Sequence, residues 1–150
     1  MRHRRPALLR RVPLALAALL AAVPLLAAAA DGETGWRSTA PLPLERTEVA
    51  AARVGGEILV AGGFLADGSS SGRVDAYAPS GERWRRLPDL SQAVHHAAAA
   101  SFRGRLYVLG GYAEPGRPSR AAFVLERGGW RRLPAMPEPR AAAGAAIVAG

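Results

Sequence analysis

The chain has 150 residues, room for one modest domain, and a formal net charge of +8. Five of its arginines precede residue 12, and residues 31–150 carry 15 arginines against 12 acidic residues, or +3, which excludes an electrostatic footprint for nucleic acid. The absence of cysteine excludes disulfides, thiolate metal sites and lipoprotein attachment.

The first 30 residues predict an export signal. Residues 1–11 are rich in arginine without an acid, residues 12–30 are almost wholly Ala, Leu, Val and Pro, and Ala28–Ala30 offer small residues for cleavage. An uncleaved membrane anchor is the alternative, since the apolar run is near the length that spans a bilayer. Export by the general or the twin-arginine route is open. We expect a periplasmic or secreted protein that has no membrane contact after signal cleavage.

The remaining residues, 31–150, contain a repeat. Tryptophan recurs at spacings of 48 and 46 residues, at Trp36, Trp84 and Trp130. Two apolar runs of β type each end in a glycine pair and an aromatic residue, Ile58 to Phe64 and Leu106 to Tyr112. A period near 47 that keeps tryptophan and glycine in phase indicates a repeat array.

Each full repeat predicts four short strands separated by turn residues. Residues 36–44 form a lone fourth strand that the prolines end. The first full repeat, residues 46–90, predicts strands at Arg46–Val54, Glu57–Ala61, Val74–Tyr77 and Trp84–Leu87. The second, residues 93–137, predicts strands at Val94–Phe102, Leu106–Leu109, Ala121–Leu125 and Trp130–Leu133. A third begins at Arg140 and continues through residues 140–150.

Four antiparallel strands with a period in the forties predict an all-β fold built from the blades of a β-propeller. The alanine-rich first strands fit this fold, because the first strand lies nearest the axis, where only small side chains leave room for neighbouring blades. Ala97–Ala100 and Ala141–Ala146 alone would favour helix, but the repeat register overrides that preference.

At these residues the chain resembles the Kelch repeat family. The resemblance rests on Leu106–Gly111, on Tyr77, on Trp84–Pro88 and on Trp130–Pro137. Departures are Leu59 in place of tyrosine, Val94 in place of the leading arginine, and Phe123 in place of the third-strand tyrosine. The resemblance implies that the aromatic residues pack between blades and that the glycine pairs permit close backbone approach. The structural repeat residues are then Trp36, Gly62, Gly63, Tyr77, Trp84, Tyr107, Gly110, Gly111 and Trp130.

A closed ring needs about four to eight blades, whereas this sequence predicts two full blades and parts of one or two more. We therefore expect a fragment of a larger propeller. The alternative is that several copies of the chain associate to complete a ring.

The loops between second and third strands share a face with the connections between blades, and loops on a rigid scaffold carry function. Arg46, His95, His96 and Arg140 are candidate ligand-binding residues on this face. The two arginines could bind a carboxylate or sulfate together, unless each pairs with a nearby glutamate. Because successive strand residues alternate faces, only one of the two histidines should point inward. Expected loop contacts are Asp67, Ser69, Arg73, Glu114 and Arg117. No metal ligand set or cofactor motif is found.

The leading hypothesis is an exported, non-catalytic binding module that presents loops to a protein or glycan partner. An enzyme on the same fold is the alternative, and the resemblance implies a periplasmic sialic-acid mutarotase type. A copper-radical oxidase type is disfavoured, since it needs a cysteine-modified tyrosine. Fold analogy alone supports an enzyme, which is a weak warrant.

Overall fold

The computed structural model describes residues 35–36 and 38–148. The export signal predicted over residues 1–30 lies outside the described residues. The chain divides into two compact units, residues 1–37 and 38–150. In the first unit only Gly35 and Trp36 are described, and the Trp36 side chain is fully exposed. No helix in the described part is long and apolar enough to cross a membrane.

The second unit contains two four-stranded antiparallel sheets, in each of which the strand order follows the chain. The first sheet consists of β1 (Ala50–Val54), β2 (Glu57–Ala61), β3 (Val74–Ala78) and β4 (Arg83–Leu87). The second consists of β5 (Ala98–Phe102), β6 (Arg105–Leu109), β9 (Ala122–Glu126) and β10 (Gly129–Arg132), and a small hairpin of β7 (Tyr112–Glu114) and β8 (Arg117–Pro118) separates β6 from β9. The sheets are four-stranded blades of the β-propeller type, and the predicted all-β fold class is confirmed.

The hydrophobic core lies between the two blades and is built mainly from the second and third strands of each sheet. Leu59 and Val74 of the first blade and Leu106 and Phe123 of the second belong to one buried cluster. The first strands of the two blades, β1 and β5, lie against each other. Ala50 and Ala98 are buried there, because a methyl group is small enough to allow the two strands to approach.

The junction between the blades depends on a glycine pair. The backbone N–H of Gly63 donates to the carbonyl oxygen of Val94 at 2.8 Å. A Cβ placed on Gly62, whose φ is +67°, would stand 2.5 Å from the same oxygen. Only glycine allows the second blade to begin this close to the first, so the predicted close backbone approach is confirmed.

The aromatic repeat residues differ from one another in burial. Tyr77 is buried, whereas Trp84, Tyr107 and Trp130 are half-buried. Tyr77 contacts Trp84 of its own blade, with ring centroids 4.9 Å apart. Trp36, in the first unit, has an exposed side chain, and its predicted packing stays a prediction.

The two half-buried tryptophans make equivalent hydrogen bonds. The indole N–H of Trp84 donates to the carbonyl oxygen of Ala40 at 2.9 Å. That of Trp130 donates to the carbonyl oxygen of Pro88 at 2.8 Å. Each indole therefore ties the fourth strand of a blade to the segment that leads into that blade.

Two predicted strands are absent from the described residues. Residue 36 and residues 38–44 are assigned to no strand, because their backbone pairs with none in the described part. The third repeat forms only an isolated bridge between Arg140 and Ser119, and residues 141–148 have no strand partner among the described residues. A β-strand needs a ladder, so alanine-rich sequence alone does not produce one here.

Candidate functional site

A relay of backbone hydrogen bonds links the starts of successive repeats. Glu48, His96 and Ala142 occupy equivalent positions and have φ angles of 53°, 55° and 50°. The backbone N–H of His96 donates to the backbone carbonyl oxygen of Glu48 at 2.9 Å. The backbone N–H of Ala142 donates to the backbone carbonyl oxygen of His96, also at 2.9 Å. Three left-handed residues are held in one row, beside which the inter-strand loops converge.

The left-handed conformation of His96 brings the two histidine rings together. Their centroids are 4.8 Å apart, and the two Nδ1 atoms are 2.6 Å apart. The prediction that neighbouring side chains alternate faces is therefore wrong here, because His96 does not have an extended backbone.

A groove of about 520 Å³ lies between the loops of the two blades, and His95 is one of its lining residues. The ring of Phe64 meets His95 edge to face at 4.7 Å, and the ring of Tyr112 lies 5.3 Å from it. We call this surface the loop groove. It is lined by Phe64, Gly68, Ser69, Ser70, Ala93, His95, Tyr112, Ala113, Pro115 and Gly116.

Backbone bridges fix the aromatic rings of the loop groove. Phe64 pairs with Thr47, and Tyr112 pairs with His95 in the equivalent way one repeat later. The N–H of Tyr112 donates to the oxygen of His95 at 2.8 Å, and the reverse bond is 3.2 Å. The backbone of both aromatic residues is thus held by bridges, although Phe64 lies in a loop and Tyr112 only begins the short strand β7.

The protons of the histidine pair follow from its partners. His96 Nε2 lies 3.2 Å from a carboxylate oxygen of Glu48, to which it donates. In the tautomer in which a neutral His96 donates from Nε2 to Glu48, its Nδ1 accepts from the Nδ1–H of His95, which leaves His95 Nε2 as an acceptor. Burial, together with repulsion from His96, lowers the pKa of His95 against the opposing charge of Glu48. His95 therefore binds a proton less readily than an ordinary histidine.

Arg46 lies outside the loop groove. Its side chain is fully buried and donates from Nη2 to Asp75 Oδ2 at 2.8 Å. Arg73 donates to both carboxylate oxygens of Asp75, at 2.9 to 3.1 Å. Burial opposes ionisation of Asp75, but the hydrogen bonds from both arginines outweigh it, so the pKa of Asp75 is lowered. The predicted ligand-binding role of Arg46 would require a free guanidinium, which this ion pair removes.

The guanidinium of Arg140 is not free for the ligand-binding role predicted for it together with Arg46. Its guanidinium donates to Glu138 at 2.7 Å on the surface. This outcome matches the predicted alternative, in which each arginine pairs with a nearby glutamate. Arg46 instead pairs with Asp75 inside the first blade, so the two guanidiniums do not converge on one ligand.

The predicted loop contacts mostly bind one another. Asp67 accepts hydrogen bonds from the side chain and backbone of Ser69, at 2.6 and 2.9 Å, and these bonds lower its pKa. Glu114 pairs with Arg117 at 3.3 Å. Only Ser69 of the five predicted contacts lines the loop groove, whereas Arg73 is directed to Asp75. No cluster of three potential metal ligands occurs in residues 35–36 and 38–148.

Phe64 and Tyr112 were not predicted as site residues. Their signal is in the sequence, because each follows a glycine pair at the same repeat position. The glycine pair ends the second strand of the blade. The aromatic residue that follows it is thereby placed beside the start of the next blade.

Comparison with known proteins gives one family of matches. Residues 45–91 match the family model described as Kelch motif. The human Kelch repeat and BTB domain-containing protein 13 is 32% identical over 117 residues, covering 74% of this chain and 25% of the relative. The human Kelch-like protein 33 is 32% identical over 121 residues, covering 79% and 23%. The Kelch repeat protein M-T8 of Myxoma virus is 29% identical over 115 residues, covering 75% and 22%. The matched part thus spans about a quarter of each curated relative.

Proposed function

We propose that the chain is a protein-interaction module whose loop groove binds a peptide segment of its partner. The match to the Kelch motif and the similarity to Kelch-repeat relatives support membership of the Kelch family, and the proposal starts from that membership. The loop groove itself carries this proposal. Its volume suits a few side chains, and its walls combine apolar rings with few polar groups, as binding sites usually do.

The chemistry of the loop groove favours a peptide with an apolar side chain that can donate a hydrogen bond. Phe64 and Tyr112 offer ring surface at low cost in conformational entropy. His95 Nε2 offers an acceptor between them while the imidazole is neutral. A tryptophan or tyrosine of the partner satisfies both requirements.

An exported location is part of the proposal. It is supported by the basic and apolar halves of residues 1–30 and by small residues before Asp31. Mass spectrometry of the protein from an expressing bacterium tests it, and a mature N-terminus at Asp31 is the expected result. Retention of Met1 in a cytoplasmic fraction would contradict export.

A larger ring is also part of the proposal. Two four-stranded blades are fewer than the four to eight that close a propeller. Further blades, supplied by a longer chain or by other copies, would extend the loop face on either side of the loop groove.

A blocking substitution tests the proposed binding site. Peptides are selected from a random library against the full chain, and their affinities are then measured by isothermal titration calorimetry. Ser69→Trp places a large ring in the loop groove, whereas Ser80→Trp adds the same ring to the exposed turn between β3 and β4. We expect Ser69→Trp to weaken binding by about tenfold or more and Ser80→Trp to leave it unchanged.

Two outcomes would contradict the proposal. Peptides that bind the Ser69→Trp variant as well as the parent would place the interaction elsewhere. A glycan array that gives ligands sensitive to Ser69→Trp, while no peptide is selected, would replace the protein partner with a carbohydrate.

A further inference from the structure

The strand ends opposite the loop groove carry a second, polar groove. Hairpin turns join β5 to β6 and β9 to β10 there, and the space between these turns is about 560 Å³. We call it the turn groove. It is lined by Arg103, Gly104, Arg105, Leu125, Glu126 and Arg127.

Both turns place an arginine where the backbone disfavours one. Phe102 pairs with Arg105 around the turn Arg103–Gly104, and Glu126 pairs with Gly129 around the turn Arg127–Gly128. Arg103 and Arg127 have φ angles of 48° and 40°, and the glycines that follow are also positive. Two-residue turns of this kind prefer Asn, Asp or Gly at the first position, so the arginines are not there for the turn.

Neither of these two arginines has a carboxylate partner of its own among the described residues, although the hydrogen bond from Arg131 is joined by the charges of Arg105 and Arg127 in lowering the pKa of Glu126. Glu126 is the carboxylate of the turn groove, and Arg105 and Arg131 already bind its oxygens at 2.8 to 2.9 Å. Within the described residues Arg103 and Arg127 form no ion pair with a carboxylate. Arg103 instead lies over the ring of the half-exposed Phe102, 4.9 Å from its centroid. The turn groove therefore has three arginines against one committed glutamate.

We propose that the turn groove binds an acidic peptide segment, whose carboxylates pair with Arg103 and Arg127. Guanidinium groups bind carboxylates through paired, charge-assisted hydrogen bonds. Nucleic acid is disfavoured as the occupant, because the net charge of residues 31–150 is only +3 and Arg103 lies over the ring of Phe102, which stands beside the turn groove. This site is separate from the loop groove, and neither proposal depends on the other.

The turn chemistry provides a test variant that should fold. Asparagine tolerates the left-handed region better than arginine, so Arg103→Asn with Arg127→Asn keeps both turns and removes both guanidiniums. The matched control, Arg86→Gln with Arg117→Gln, removes two exposed arginines outside the turn groove. Both variants change the net charge of the full chain by the same amount.

The probe is a fluorescein-labelled octaglutamate peptide, and its binding to the full chain is followed by fluorescence anisotropy at low and moderate salt. We expect the asparagine variant to bind about tenfold more weakly and the control to change less than about twofold. Raised salt should weaken binding to the parent chain.

Three results would overturn the proposal. The first is unchanged binding in the asparagine variant, and the second is an equal loss in the control, which would indicate general attraction to net charge. The third is tighter binding of a single-stranded oligonucleotide of equal charge with the same sensitivity to the asparagine variant, which would assign the turn groove to nucleic acid.

Discussion

Removing the carboxylate of Asp75 should destabilise the first blade strongly, because that carboxylate is the buried partner of Arg46. The two side chains are 1% and 0% exposed and are joined at 2.8 Å. Without Asp75 the guanidinium of Arg46 stays buried and unpaired, and its Nε and Nη1 already lack a hydrogen-bond partner in the described part. Breaking a buried pair in this way costs about 3 to 5 kcal/mol.

Arg73 should contribute less to this cost. Its side chain is 23% exposed, so water can replace part of what Asp75 supplies. The loss in free energy of unfolding that is measured for Asp75→Ala should therefore come mainly from the buried, unpaired guanidinium of Arg46. Urea denaturation followed by tryptophan fluorescence gives the free energy of unfolding for parent and variant.

The second blade provides a matched control for Asp75→Ala. Its residues at the positions of Arg46, Arg73 and Asp75 are Val94, Ala121 and Phe123, all of which are buried and apolar. A triple variant that copies these residues into the first blade removes both sides of the ion pair. Replacing a buried pair by packed apolar groups is often neutral or stabilising, so we expect the triple variant to stay within about 1 kcal/mol of the parent or to exceed it.

Two results would refute this reasoning. A loss of stability of less than about 1 kcal/mol in the Asp75→Ala variant would mean that the guanidinium of Arg46 contacts water or another partner. A triple variant as unstable as Asp75→Ala would mean that the cost arises from packing rather than from an uncompensated charge.

Three further predictions test separate parts of the structure. The folded-state pKa of His95 is lowered. The contribution of His95 to stability is therefore complete above the unfolded-state pKa of about 6.5 and is lost as the pH falls from there through the folded-state pKa. Unfolding curves at about pH 7.5 and about pH 5.5 should show this loss of stability, and the loss should be smaller in the His95→Phe variant. Gly111→Ala should cost more than about 1 kcal/mol, since its Cβ would stand 2.7 Å from the oxygen of His95, whereas Gly116→Ala, with open space at a similar φ, should cost only the backbone strain; thermal denaturation compares them. Trp130→Phe should cost about 0.5 to 1.5 kcal/mol in urea denaturation, because the indole bond to Pro88 is lost.

Controls separate these effects from general damage. A decline in stability at pH 5.5 that is equal in the parent and in His95→Phe would assign the titration to other groups. Equal losses for the two glycine variants would contradict the close approach at Gly111. A Trp130→Phe variant as stable as the parent would show that the indole bond contributes nothing beyond what water supplies.

The acid limb of the stability curve reports on Asp75. Because its folded-state pKa is lowered, its contribution is present above the unfolded value of about 3.9 and is lost as pH falls through the folded value. The triple variant lacks this carboxyl, so it should lose less stability than the parent below about pH 4.

The blades could be predicted from the sequence because their signals are local and repeated. Ile58–Ala61 and Leu106–Leu109 show the strand pattern twice, each time closed by a glycine pair. The register of the repeat also decided that the alanine-rich run at Ala97–Ala100 belongs to a strand, against alanine's helix propensity. The structure places β5 there, with Ala98 and Ala100 buried.

The contacts of the candidate site could not be predicted, because they depend on backbone angles and long-range pairing. Glu48, His96 and Ala142 share a left-handed conformation but no side-chain chemistry, so no sequence pattern marks that position. The conformation of His96 brings its ring against that of His95, which lines the loop groove.

The pairing of Arg46 was partly accessible from the sequence. Asp75 is the second residue of the apolar strand Val74–Ala78 and is buried there, so its carboxylate needs a buried cation. Arg73, two residues before Asp75, is one such cation, but Arg46 is 29 residues away in sequence. Only the folded blade shows that both arginines reach the same carboxylate.

The proposal of a peptide site in the loop groove is tested most directly by mapping a bound peptide on the chain. Two-dimensional NMR spectra of the full chain are recorded during titration with a library-selected peptide. We predict that the largest shifts in amide signals occur at Phe64, His95 and Tyr112, and that they weaken once His95 is protonated at low pH. Shifts confined to other surfaces, with these three signals unchanged, would contradict the assignment of the loop groove as the binding site.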